Sequence, residues 1–314
     1  MSLRVILRIL GLLLMLFSLT MLPPMLMSLW FRDSVWHAFM SGIGITVMTG
    51  LFLYLPNRRA HKELRIRDGF IIAAMFWTVL ALFGSLPLML FGEGSLSITD
   101  AVFESFSGLT TTGATVITGI DFLPESVRYY RQQLQWLGGM GIVVLAVAIL
   151  PTLGVGGMAL YRTEIPGPLK DSKLTPRITE TAKALWYIYA TLTFACMVAY
   201  MLAGMSWFDA LGHSFSTVAI GGFSTHDASM GFFDSPLILM ICSVFMLLSG
   251  MSFAIHFHAW RARSPRTYLM DSETKFYLGV MATATVSVCG YLLLSGTQDL
   301  PDSVVNGIFH TVSI

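Results

Sequence analysis

The chain has 314 residues, 55% of them hydrophobic and only 12% charged, with a formal net charge of +1. Soluble globular domains carry about 25% charged residues. Half that share, with a mean hydropathy of +0.71, excludes an ordinary soluble domain and makes this an integral membrane protein. Cys196, Cys242 and Cys289 lie inside apolar runs at spacings that fit no zinc or redox motif. They read as small buried hydrophobes and imply no disulfide framework.

A helix needs roughly 20 mostly apolar residues to cross a bilayer. Seven stretches qualify in chain order: about 5–30, 35–55, 69–91, 129–152, 183–205, 236–260 and 275–296. A charge at mid-span costs about 2.5–3.5 kcal/mol, and none of the seven holds one at its centre. The first opens like a secretory signal peptide, with Arg4 and Arg8 before a leucine run. Its apolar run is too long for one and lacks a small-x-small cleavage site, so it reads as a retained span. Pro23-Pro24 is expected to end or kink it.

Basic residues fall mostly on one face. Arg58, Arg59, Lys62, Arg65 and Arg67 follow the second span. Arg162, Lys170, Lys173, Arg177 and Lys183 follow the fourth, and Arg261, Arg263, Arg266 and Lys275 the sixth. With Arg4 and Arg8, these leave only Arg32, Arg128 and Arg131 of the 19 Lys and Arg on the other side. The positive-inside rule makes the first face, and the N-terminus, cytoplasmic. Acids lean outward, among them Asp33, Glu104, Asp121, Asp209 and Asp227. An anionic outer vestibule would concentrate cations; the alternative reading is that acids merely populate outer loops.

Two segments too short to cross, 97–109 and 206–218, follow the third and fifth spans. Ser97, Asp100, Ala101, Ser105-Phe106-Ser107 and Gly113 are matched by Ser206, Asp209, Ala210, Ser214-Phe215-Ser216 and Gly222, each 109 residues on. A third copy begins after the seventh span, with Ser303, Asn306, Phe309 and Ser313 in the places of Ser97, Asp100, Phe103 and Ser107. Internal repetition of this kind decides the fold class. The expectation is an all-α integral membrane protein of repeated span–pore helix–filter–span units, two complete and a third cut, preceded by two extra transmembrane helices. The boundaries are 1–67, then 68–178 with a filter at 110–115, then 179–270 with a filter at 219–224, then 271–314. Ser97-x-x-Asp100 and Ser206-x-x-Asp209 have capping-box spacing, and Ser303-x-x-Asn306 is a weaker third. With their acidic starts outside, the short helices point their partially negative C-termini inward, where a cation is stabilised.

Each short helix is followed by a glycine-bearing stretch, Thr110-Thr111-Thr112-Gly113-Ala114 in the first copy. Irregular backbone at membrane depth is tolerated only inside protein or along a wet cavity. The atoms available are carbonyls and threonine hydroxyls, hard neutral oxygens suited to replacing water around a monovalent cation. Carboxylate, imidazole or thiolate clusters would suit other metals, and none is present here.

These residues resemble the Trk/Ktr/HKT superfamily of potassium uptake proteins, specifically its TrkH-type subunits, along essentially the whole chain. "SFSGLTTTGAT" is similar to the family's first filter and "SFSTVAIGGFSTHDAS" to its second. The stretch from "QWLGGMGIVV" to "ITETAKALW" is similar to its second pore-lining helix and the cytoplasmic loop that follows. The resemblance implies potassium uptake across a bacterial cytoplasmic membrane through backbone carbonyls. It puts the K+ filter at Thr111, Thr112, Gly113 and Ala114, and at Ile220, Gly221, Gly222 and Phe223. Gly113 implies potassium preference, since sodium-permeable relatives carry serine there. The resemblance also implies K+ as the transported ion, with no organic cofactor, no enzymatic role and no nucleic-acid partner. The implied partners are a second TrkH-type subunit in a homodimer, the lipid bilayer, and a cytoplasmic nucleotide-binding subunit, TrkA. Basic loops at 56–67, 153–182 and 261–275 are candidate docking surfaces for that subunit, or merely obey the charge rule. The family has four units, so a chain ending at Ile314 is expected to be part of a longer protein or a non-conducting subunit. A membrane enzyme is the remaining alternative, disfavoured because repetition suits a pore better than an asymmetric active site.

Several residues carry two readings. Gly138, Gly139 and Gly141 allow either close approach to the filter or ordinary helix packing. Glu104 and His213 occupy equivalent positions and either orient the filters by hydrogen bonds or attract ions. His256 and His258 fall on different helix faces, which speaks against a metal pair. "GVGGMA" at 154–159 follows a membrane helix rather than a strand, so it is not read as a phosphate loop.

Overall fold

A computed structural model describes residues 3–60, 66–92, 94–141, 178–296 and 299–314. All regular structure among the described residues is helical. Helix α1 (Leu3–Leu19) buries Ile6, Ile9, Leu10, Leu13, Leu14 and Phe17, spaced three and four apart as one helix face requires. The chain breaks at Thr20 and Met21, and α2 (Leu22–Phe31) takes Pro23 and Pro24 into its first turn, where a missing N–H leaves no bond unmade. Helix α3 (Trp36–Tyr54) packs along α1. Helix α4 (Ile66–Gly84) breaks at Ser85 into the short α5 (Leu86–Leu90).

Helices α6 (Ile98–Leu109) and α9 (Trp207–Val218) are the two short segments, separated by α7 (Glu125–Gly139) and α8 (Ile178–Leu202). Then come α10 (Pro236–Gly250), α11 (Phe253–Ala262), α12 (Arg266–Met270), α13 (Ser272–Leu294) and α14 (Leu300–Ser313). One apolar core gathers α1, α3, α4 and α6; a second gathers α8, α9 and α10. Helix α7 packs against both short helices and joins the two. Among the described residues, five stretches are long and apolar enough to cross a membrane: Leu3–Phe31, Trp36–Asn57, Ile71–Leu90, Lys183–Leu202 and Ser272–Leu294.

Four expectations need correction or limit. The span expected at 236–260 is not straight, because α10 and α11 meet at 92°. Gly250, a poor helix former, approaches α13 so closely that a Cβ would stand 2.5 Å from the Tyr277 hydroxyl. The carbonyls freed by the bend find partners: Leu248 takes the His256 Nε2 at 2.8 Å, and Leu247 the Tyr277 hydroxyl at 3.4 Å. The third cap is not Ser303-x-x-Asn306, which lies inside α14. Asp299 caps that helix by accepting the Asp302 N–H at 3.3 Å, and Pro301 in the first turn sets the earlier start.

Glu104 and Arg131 are not vestibule charges. They are 0% and 1% exposed and face each other at 3.5 Å. The span expected at 129–152 is described only to residue 141; the loop at 153–177, the 154–159 motif and Lys62 and Arg65 also lie outside the described residues.

Candidate ion filter

The short helices begin alike. Ser97 Oγ accepts the Asp100 N–H at 3.2 Å and donates to Asp100 Oδ2 at 2.8 Å. Ser206 makes the same pair of bonds with Asp209, at 3.0 and 2.7 Å. Each serine pairs an otherwise orphaned N–H, and each acid sits against the positive end of a helix dipole.

They also end alike, residue for residue. The Thr112 N–H reaches back to the Ser107 carbonyl at 2.9 Å, and the Thr111 N–H to Gly108 at 3.0 Å. In the second copy Gly221 N–H reaches Ser216 at 2.8 Å, and Ile220 N–H reaches Thr217 at 3.1 Å. This pairing is a Schellman termination, whose turning residue adopts a left-handed conformation and is usually glycine. Here the turning residues are Thr111 (φ +54°) and Ile220 (φ +52°). A β-branched residue is an outlier in that region, at a cost of about 1–2 kcal/mol. Backbone strain of this kind clusters at functional sites, and here it occurs twice at matched positions.

The glycines that follow bring the two turns together. Gly113 and Gly222 have φ of +78° and +86°. A Cβ on Gly113 would collide with the Gly221 carbonyl oxygen and stand 3.3 Å from Gly222 Cα. The two segments therefore pass at backbone distance, which only residues without a side chain permit. Gly138 and Gly139 serve the same closeness from α7. A Cβ on Gly138 would collide with the Leu109 carbonyl, and one on Gly139 would sit 3.2 Å from Ala219 Cα. Close approach to the ends of both short helices is thus what these two glycines provide.

Among the described residues a cavity of about 480 Å³ lies against the turns, lined by Leu109, Thr110 and Thr111 from one copy and Val218, Ala219 and Ile220 from the other. Gly138, Tyr189, Ser249 and Phe253 complete part of its wall. Both helix C-termini open onto this space, each carrying roughly half a negative charge. Among the described residues, Ser249 Oγ, buried there, has no hydrogen-bond partner.

Behind the turns the repeat continues in polar form. Glu104 accepts from Thr115 Oγ1 and from the Val116 N–H at 3.1 Å. Its counterpart His213 reaches Ser224 Oγ at 2.9 Å, and Ser224 is the counterpart of Thr115. His213 Nδ1 lies 2.9 Å from the Asp209 carbonyl, which only accepts, so Nδ1 carries the proton and Nε2 accepts from Ser224. The hydrogen-bonding role of both residues is therefore plain in the geometry. Arg131 bridges the copies: it donates to Thr115 Oγ1 at 3.1 Å and to the Ser224 carbonyl at 3.3 Å, and stacks 4.4 Å from the Phe223 ring centroid.

Beside the start of α9, His226 Nδ1 bonds to Asp121, while its Nε2 lies 3.2 Å from Asp209 Oδ1. The Asp227 N–H also donates to Asp121 at 3.1 Å, and Asp227 accepts the Gly119 N–H at 2.9 Å. The His226 hydrogen bond, then that of the Asp227 N–H, holds the Asp121 carboxyl below its usual value of 3.8.

The sequence-derived filter residues fall as follows. Gly113, Gly221 and Gly222 meet at the crossing of the two segments. Thr111 and Ile220 are the left-handed turns on the cavity wall. Thr112 Oγ1 lies 2.8 Å from Thr110 Oγ1. Thr115 and Ser224 close the expected filter stretches 110–115 and 219–224, but sequence reasoning missed their partners, the inward Arg131 and Gln135. The signal was available: Thr115 and Ser224 keep the repeat offset, and "RQQLQ" is a polar run inside an expected span.

Residues 36–296 match a protein family described as TrkH, cation transport protein. The chain is 70% identical over 314 residues to the Trk system potassium uptake protein TrkH of Halomonas elongata, covering all of itself and 65% of that protein. It is 54% identical over 319 residues to the TrkH of Vibrio parahaemolyticus, covering 65% of that protein. The crystal structure of the potassium transporter TrkH from Vibrio parahaemolyticus superposes with a TM-score of 0.87 at 49% identity, over 100% of this chain and 64% of that one. The chain thus spans about 65% of the length of these curated relatives. It belongs to the TrkH family of cation transport proteins.

Proposed function

We propose that this chain supplies two filter segments of a potassium-uptake pore, with K+ held by backbone carbonyls of Thr111, Thr112 and Gly113 and of Ile220 and Gly222, while the expected Gly221 carbonyl is instead taken by Gln135 Nε2 at 2.7 Å. The observation that carries this reading is the matched pair of left-handed turns above a cavity shared by two helix C-termini. Neutral oxygens in a site built from backbone suit a dehydrated monovalent ion. The partially negative helix ends suit that ion once it reaches the cavity. A negative interior draws it inward with about 2.3 kcal/mol per 100 mV. The units follow the sequence repeat: two leading helices in 1–67, a first unit in 68–178, a second in 179–270 and the start of a third in 271–314. The curated relatives are named as parts of a Trk system. That naming suits a multi-subunit assembly, which we read as a homodimer regulated by a cytoplasmic nucleotide-binding TrkA-type subunit; the one-sided basic residues suit a bacterial inner membrane with the N-terminus cytoplasmic.

Growth at low potassium tests the reading. The complete gene product is expressed in a bacterial strain lacking its own potassium uptake systems. Rescue by the wild type and none by Gly113→Ala is the expected result, because a Cβ there strikes the Gly221 carbonyl. A wild type present in the membrane that gives no rescue would overturn it.

A further inference from the structure

The two filter segments are braced differently. In the first, Thr110 Oγ1 donates to the Phe106 carbonyl at 2.7 Å and pairs with Thr112 Oγ1 at 2.8 Å. The second has Ala219 and Gly221 at those positions and no hydroxyl to do the same. Its brace comes from the other unit. Gln135 of α7, 0% exposed, donates from Nε2 to the Gly221 carbonyl at 2.7 Å and accepts the Phe223 N–H on Oε1 at 3.0 Å. The amide lies flat on the segment: a Cβ on Gly221 would stand 2.5 Å from Gln135 Oε1 and 2.8 Å from its Nε2.

These two bonds fix the peptide planes on either side of Gly222. The Gly221 carbonyl belongs to the plane before it and the Phe223 N–H to the plane after it. In a trans peptide the carbonyl and N–H point oppositely. With the Phe223 N–H held on Gln135, the Gly222 carbonyl is turned away from α7. Gly222, at φ +86° and without a Cβ, has no steric means of holding that orientation. One side-chain amide with a donor and an acceptor is the chemistry that can pin both planes at once.

We propose that Gln135 is the positioning and specificity-determining residue of the second filter segment, a role that rests on the potassium reading above. It sets the Gly222 carbonyl as an ion ligand and keeps the segment from rotating its peptides to suit a smaller ion.

The test compares Rb+ and Na+ flux into proteoliposomes carrying the complete gene product. Gln135→Leu removes both bonds; Gln135→Glu keeps the acceptor for Phe223 but sets an oxygen against the Gly221 carbonyl. The expected result is a fall of about tenfold in the Rb+/Na+ flux ratio for Gln135→Leu and a smaller fall for Gln135→Glu, with Na+ flux raised. A merely structural role would lower both fluxes together and leave the ratio alone. Should Gln135→Leu not reach the membrane, Gln135→Glu, nearly equal in volume, decides on the same ratio. A selective wild type beside equally selective variants overturns the proposal by itself. A wild type that does not prefer Rb+ overturns the potassium reading and the proposal together.

Discussion

At the scale of single residues, Thr111 and Ile220 hold a conformation that glycine would adopt without strain. Relieving the strain is worth about 1–2 kcal/mol, against about 0.5–1 kcal/mol for the greater freedom of glycine in the unfolded chain. Ile220→Gly is therefore expected to stabilise the fold by roughly 0.5–1 kcal/mol, read as a raised melting temperature in detergent, while loosening the turn and weakening cation discrimination. Unchanged or lowered stability would mean that the left-handed turn is not strained. The Asp121 carboxyl is held below its usual value of 3.8, chiefly through the His226 hydrogen bond. A carboxyl whose folded-state pKa is depressed stabilises the fold above its unfolded value and stops doing so as pH falls through the folded one. Asp121→Asn should therefore flatten the loss of thermal stability below about pH 4, and an identical acid limb in both proteins would count against the pairing. Because Asp121 is 37% exposed, the effect is small.

At the scale of elements, the short helices depend on their caps and on what lies behind them. Ser97→Ala and Ser206→Ala should each cost about 1 kcal/mol, and the two losses should add, since they act on separate helices. The Glu104–Arg131 pair is different. Glu104→Gln leaves a buried guanidinium without its counter-charge and should cost about 3–5 kcal/mol, whereas replacing both partners with apolar residues of similar volume recovers much of it. Denaturation of the single and double variants separates these outcomes. The starts of the short helices were legible in the sequence, because Ser-x-x-Asp states a helix start locally; their ends, turned by Thr111 and Ile220 rather than by a glycine, carried no such signal. The burial of Arg131 was not. A position count assigns a charge near a span end to the outside, and only the packing of α7 between two short helices turns Arg131 and Gln135 inward. The 92° bend after Gly250 was hidden for a similar reason, since hydropathy measures how apolar a stretch is and not whether it is straight. The third cap was misread because repeat alignment was allowed to override Pro301, a local signal for where α14 starts.

At the scale of the whole molecule, the two copies do not work as separate modules. The Gly113 and Gly221 backbones touch, Arg131 ties Thr115 to Ser224, Gln135 reaches from α7 to the Gly221 carbonyl, and Asp121 meets His226. A symmetric repeat is thus held by asymmetric cross-links, which is how a backbone site can keep one geometry without charge in the site itself. The account stands on the two turns sharing one ion. Anomalous diffraction from crystals of the complete gene product soaked in Rb+ tests this most directly. The expected result is an anomalous peak within coordination distance of carbonyls from both the 111–113 and 220–222 segments. Peaks confined to the acidic cluster of Asp121, Asp209 and Asp227, with none touching either segment, would contradict it.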